Sequence, residues 1–134
     1  MRVFLDTNGL VSALGTRGIC ADLLQAVVLD HTLVWSDGVR SELEQALRRS
    51  FRLPSLMLTG YLEFLANVAE TAPEAAPLPL AVPDPSDAPI LASAAGARSD
   101  LFVTGAKALL ELARIGTMEI VSVRATWERF SART

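Results

Sequence analysis

Short apolar runs that stop on polar residues alternate with stretches of helical spacing, and this alternation restricts the fold more than any other feature of the chain. Val3, Phe4 and Leu5 form the first run, which stops at Asp6, Thr7 and Asn8. Leu33, Val34 and Trp35 form the second, closed by Ser36, Asp37 and Gly38. Leu101 to Thr104, ending at Gly105, and Glu119 to Val123 read as two more strands. Between them, Ile19, Leu23, Leu24, Val27 and Val28 recur at helical intervals, as do Val39, Leu43, Ala46 and Leu47, and then Leu58, Tyr61, Leu62, Leu65 and Val68. Strands alternating with helices predict an α/β fold, a parallel sheet covered on both faces.

The boundaries follow from local chemistry. Gly15 to Gly18 and Phe51 to Pro54 read as connections. Ser36 or Asp37 is the expected N-cap of the helix running to about Arg49. The stretch 71–85 carries Pro73, Pro77, Pro79, Pro83 and Pro85 and must be largely extended, with Leu78, Leu80 and Val82 as a possible short edge strand. Ser86 is the expected cap of a small-residue helix, with Pro89 in its first turn. Ala106 to Ala113 reads as a short helix and Thr126 to Phe130 as a terminal turn.

A chain of 134 residues with 51% hydrophobic content predicts one domain, 1–134, with a single filled core. No apolar run approaches a membrane span, and Asp6 and Asn8 interrupt any signal-peptide pattern, so the expectation is a cytoplasmic protein. Cys20 is the sole cysteine, which excludes an intrachain disulfide and a cysteine-based metal site. A net charge of −3 argues against a generally basic nucleic-acid-coating surface, though not against a local basic patch.

Three carboxylates stand out by position. Asp6 ends the first strand, Glu42 lies on the helix after the second, and Asp87 lies in the first turn of the helix leading to the Leu101 strand. Ligands in open α/β sheets gather at the carboxyl ends of strands. Helical spacing puts Glu42 beside the buried stripe and turns Glu44 outward. Acids converging from separate units are costly unless a cation neutralises them, and hard divalent ions prefer oxygen ligands. Each acid also has a plainer reading: Asp6 as a helix cap, Glu42 as a solvated residue, Asp87 as a partner of a helix dipole. His31 falls in a turn and reads as a solvated surface residue, and Trp35 and Trp127 read as packing residues.

The segments MRVFLDTNGLVSAL, SELEQAL and DPSDAPILASAAGARSDLFVTGAKALL, in this order, resemble the successive motifs of PIN-domain nucleases, most of all the VapC-like toxins of bacterial toxin–antitoxin pairs. The resemblance implies a three-layer α/β/α domain with a central, mostly parallel sheet. It also implies cleavage of single-stranded RNA with Mg²⁺ or Mn²⁺ held by Asp6, Glu42 and Asp87, an antitoxin partner and a homodimer. Thr7, Asn8, Asp84 and Thr104 would support the acids. Lys107 is the nearest expected phosphate contact, with Arg40 and Arg49 as further RNA contacts; Arg48 and Arg49 also suit a helix C-terminus.

One departure matters. The family's fourth motif usually ends in an aspartate, where this chain has Thr104-Gly105-Ala106. A methyl group cannot ligate, so the expected site has one negative charge fewer and a weakened hold on a cation, most of all on a second. An alternative is therefore a PIN-like domain that no longer cleaves and instead binds RNA or protein.

Overall fold

In the computed structural model, residues 1–14, 18–50, 54–76, 78 and 82–132 are described. The strands are β1 (Arg2–Leu5), β2 (Thr32–Ser36), β3 (Glu70–Ala72), β4 (Leu101–Val103), β5 (Arg114–Ile115) and β6 (Met118–Val121). The helices are α1 (Thr7–Ala13), α2 (Ile19–Asp30), α3 (Asp37–Ser50), α4 (Ser55–Val68), α5 (Ala88–Gly96), α6 (Lys107–Leu110) and α7 (Val123–Ser131), with a 3-10 turn at Pro85–Asp87 before α5.

The strands form a single sheet in the order β3-β2-β1-β4-β6-β5. All pairings are parallel except that of β5 with β6. β1 lies inside, with Val3 opposite Leu33 on one side and Phe4 opposite Phe102 on the other. Strands covered on both faces read as unbroken apolar runs, and Val3, Phe4, Leu33, Val34, Leu101 and Phe102 are all buried. The chain moves from β1 to β2 to β3 through α1–α4, then returns past β2 and β1 by way of α5 to β4. Right-handed crossovers in opposite directions put their helices on opposite faces, giving the three layers. α1 packs on α2 and α3, α3 on α4, and α2 on α7.

Ser36 Oγ accepts from Val39 N at 3.2 Å, so Ser36 caps α3 from the end of β2. Leu58 and Leu65 of α4 are buried, and the Tyr61 hydroxyl donates to the Leu10 carbonyl at 2.7 Å, so this stripe belongs to the core. At the opposite end of the sheet, the Arg2 guanidinium grips both oxygens of Glu70 at 2.8 and 2.9 Å, and the Arg2 amide donates to Asp100 Oδ2 at 2.7 Å.

Several local expectations give way to tertiary context. The edge strand beside β2 is Glu70–Ala72; Leu78, Leu80 and Val82 form no described strand, and 79–81 lie outside the described residues, as do 15–17 and 51–53. A short antiparallel hairpin, β5–β6, turns at Gly116, whose φ of 57° favours glycine. The last strand accordingly ends at Val121, and Ser122 caps α7, whose apolar residues pack inward from Val123 onward. The short helix after β4 is only Lys107–Leu110. His31 is not a solvated turn residue: it is half-buried and its ring stacks on Phe130 with centroids 4.1 Å apart. Both tryptophans pack as expected; Trp35 is buried, with Nε1 donating to Thr71 Oγ1 at 3.1 Å, and Trp127 lies against the core.

Phe4 and Phe102 stack at 5.2 Å in the middle of the sheet. Phe4→Ala is expected to lower unfolding free energy by about 3–5 kcal/mol, read by chemical denaturation.

Candidate active site

Sheet order reverses direction at β1: the chain first builds towards β2 and later towards β4. The crevice over the carboxyl ends of β1 and β4 is therefore the switch point where ligands bind in open α/β sheets. Asp6 follows β1 and Thr104 follows β4, and both face this crevice.

Asp6 is held from two sides. Its Oδ1 accepts the Gly9 amide at 3.0 Å, capping α1, and its Oδ2 accepts the Thr104 hydroxyl at 2.6 Å. Thr104 is fully buried, and its Oγ1 accepts the Ala106 amide at 3.1 Å, so its one proton is directed at Asp6. The capping and site readings of Asp6 thus describe the same side chain. Glu42 projects from α3, exposed, and its Oε2 accepts the Thr7 hydroxyl at 2.8 Å. Thr7 therefore orients Glu42 rather than Asp6. Helical spacing mistook the exposure, since Glu42 is exposed and Glu44 half-buried against its partner Arg48 at 3.0 Å.

Asp84, not Ser86, opens the helical segment leading to α5. Its Oδ1 accepts the Ser86 amide at 2.9 Å and the Ser86 hydroxyl at 2.8 Å, and these bonds hold its carboxyl below the usual range. This Asx-type turn fits Pro85, which has no amide to satisfy. It delivers Asp87 at the end of the 3-10 turn, half-buried. Burial pushes the Asp87 carboxyl up, and the negative charges of Asp84, Glu42 and Asp6 push it further, in that order. Four acids from three βα units therefore share one field. Asn8 is exposed in the first turn of α1 and makes no hydrogen bond to these acids among the described residues.

Of the basic residues, Lys107 begins α6, exposed, just past the crevice. The Arg40 guanidinium lies over the Trp35 ring at 5.8 Å, and Arg49 donates to Gln45 at 3.3 Å along α3. Sequence reasoning missed the Gly9 amide as an Asp6 donor. The signal was present: a residue three places after a helix cap supplies the capped amide.

Among the described residues no three acidic, histidine or cysteine side chains close into a common metal-ligating group. The donors are nonetheless all carboxylate oxygens, and Asp87 carries an uncompensated charge burden. That set suits a hard cation that keeps several waters and takes one or two carboxylates directly, as Mg²⁺ does, and not a closed protein cage. Ala106 occupies the N-cap of α6 with only a methyl group, and its amide donates to the Thr104 hydroxyl that holds Asp6.

The site is thus an α/β/α switch point at which Asp6, Glu42, Asp84 and Asp87 share one electrostatic field. The sequence matches the PIN domain family over residues 2–108, and the chain belongs to that family of nucleases. It is also similar to a chain in the crystal structure of VapBC2 from Rickettsia felis bound to a DNA fragment from their promoter. That likeness has a TM-score of 0.65 and 18% identity over 91% of this chain and 98% of the other, and it concerns the fold. No curated protein matches the sequence.

The raised Asp87 pKa has a defined sign. Protonated Asp87 is favoured in the folded state, so its stabilising contribution is full below the unfolded value, near 3.8, and is lost as pH rises through the higher folded value. In metal-free buffer at pH 7, Asp87→Asn should raise the midpoint of thermal unfolding. At pH 3 the two proteins should melt closer together.

Proposed function

We propose that this protein is a divalent-metal-dependent endoribonuclease acting on single-stranded RNA, the toxin of a toxin–antitoxin pair in the cytoplasm. The observation that carries the reading is the shared field of Asp6, Glu42, Asp84 and Asp87 at the switch point, in a chain of the PIN domain family. Asp6, Glu42 and Asp87 would hold Mg²⁺ or Mn²⁺. When bound, the cation supplies charge neutralisation and Lewis acidity at a phosphoryl oxygen. Thr104 and Gly9 fix the Asp6 carboxylate, and Thr7 fixes Glu42, so neither acid has to be ordered when RNA arrives. Burial and the neighbouring negative charges disfavour the ionised form of Asp87, and a bound cation would relieve that repulsion. Lys107, at the start of α6, and Arg40, in the first turn of α3, would attract the RNA backbone at this edge, whereas Arg49, about 18 Å along α3 from its first residue, would meet only RNA that extends beyond the crevice.

A protein partner is supported by a separate surface. Leu29, on α2, is 70% exposed, and Leu56, Met57 and Phe64, on α4, are exposed as well. Between these helices lies a groove of about 310 Å³ lined by Leu24, Val28, Leu29 and Phe64. Exposed apolar clusters of this kind mark interaction surfaces. A small antitoxin would cover it, and the toxin itself would act as a homodimer. No described helix is long and apolar enough to cross a membrane.

The methyl group of Ala106 favours a second reading, a domain that binds RNA without cutting it. Two measurements separate the readings. Calorimetric titration with Mn²⁺ should give binding heat for the wild type and none for Asp6→Asn; equal, negligible heats would remove the metal site. Ala106→Asp adds a carboxylate and an N-cap to α6, and a cap alone contributes about 0.5–2 kcal/mol. It should raise Mn²⁺-dependent cleavage of a single-stranded RNA at least tenfold, assayed on gels. No cleavage by either protein would leave the binding module as the better description.

A further inference from the structure

A cavity of about 340 Å³ opens beside the acids, lined by Ser36, Asp37, Gly38, Ala72, Glu74, Ala75, Pro89, Ile90 and Ser93. Its walls are the start of α3, the first two turns of α5 and the segment from Ala72 to Ala75. Gly38 precedes Glu42 by one helical turn, about 5.4 Å along the axis, and Pro89 follows Asp87 by two residues. The cavity therefore lies one nucleotide's reach from the proposed cleavage centre. Gly38 sits at its wall beside Ser36 and Ile90.

The polar groups inside are poised for a ligand. Ser93 is 8% exposed and its hydroxyl has no hydrogen-bond partner among the described residues, although it lines the cavity. Ser36 is 4% exposed, and its Oγ accepts the Val39 amide, which leaves its own proton to donate. Asp37 and Glu74 are exposed at the rim and make no ion pair among the described residues. Ala72, Ala75, Pro89 and Ile90 provide flat apolar contact. The site thus offers hydroxyl donors at its floor, carboxylate acceptors at its rim and apolar walls between.

We propose that this cavity holds a guanine base next to the scissile phosphate and sets the sequence preference of cleavage. The inference rests on the RNA-cleaving reading above. Sequence-specific RNA recognition works on bases splayed from single strands and read along their edges. Guanine alone presents O6 and N7 acceptors together with the N1 and N2 protons. Ser36 and Ser93 can donate to the acceptors while Glu74 or Asp37 accepts the two edge protons as a pair. Uracil and cytosine offer fewer protons to the carboxylates, and adenine lacks an acceptor at position 6. A phosphate is excluded from the cavity by the same two negative charges.

The test uses the whole chain with Mn²⁺ and a randomised single-stranded RNA pool, with cut sites mapped by sequencing. Guanine should be enriched at least tenfold at one fixed position beside the cut. Glu74→Gln and Ser93→Leu, the second filling the cavity, should each reduce that enrichment below about threefold. Glu74 is exposed, so its variant keeps the test valid should Ser93→Leu fail to fold. Equal cleavage beside all bases, or a guanine preference untouched by Glu74→Gln, would overturn the inference while leaving the nuclease reading intact. Should no RNA be cleaved, the nuclease reading fails by itself, and fluorescence anisotropy with labelled ribotetranucleotides decides the cavity. Tighter binding of guanine-containing probes that is lost in Glu74→Gln supports it, and equal binding of all probes ends it.

Discussion

The Thr104 hydroxyl, 2.6 Å from Asp6, joins the carboxyl ends of the two strands between which the chain changes direction. The arrangement of the site depends on that bond. It fixes one carboxylate at the switch point, and because the hydroxyl also accepts the Ala106 amide, it fixes the start of the α6 loop as well. The bond rests on strand ends that are hydrogen-bonded on both sides of β1 and buried. Sites built on regular elements hold their geometry better than sites built on loops.

Against that platform the other acids are set with opposing tendencies. Asp84 is drawn towards the ionised form by two hydrogen bonds from Ser86, whereas burial and neighbouring negative charge push Asp87 towards the protonated form. Two carboxyls only three residues apart thus have different electrostatic character, and environment alone separates them. Such divergence is common where charge has to be exchanged with a ligand. The cost is a fold that carries repulsion at its open edge. The buried stacking of Phe4 on Phe102 and the Arg2 links to Glu70 and Asp100 lie elsewhere in the sheet. The Arg2–Glu70 pair is largely solvated, so its contribution is small despite its bidentate geometry.

The two surfaces outside the crevice differ in chemistry. The cavity between α3 and α5 is polar at floor and rim and adjoins the acids, whereas the groove between α2 and α4 is almost wholly apolar. A nucleobase and a protein helix make those two different demands. The two share no lining residue, so a partner could cover the groove without entering the cavity.

Much of this was legible along the chain. The apolar runs ending at Asp6, Ser36 and Thr104 gave the strands, because a strand buried on both faces leaves no polar alternation to confuse it. The same runs named Asp6, and the DPSD stretch named Asp84 and Asp87. What the sequence could not carry was anything set by partners distant in the chain. Glu70–Ala72 is a strand only because β2 offers an edge at that place, and no periodicity marks three residues. Thr7 turns to Glu42, thirty-five residues away, and not to its neighbour Asp6. Ser86 and Asp84 are equally good caps by residue type; only the position of Pro85 in the folded turn chooses Asp84. The sequence by itself determined which residues are apolar enough to build the sheet and which acids stand at its rim. The tertiary structure decided which hydroxyl steadies which carboxylate and how charge is shared among them, because those depend on distances that only the packed chain defines.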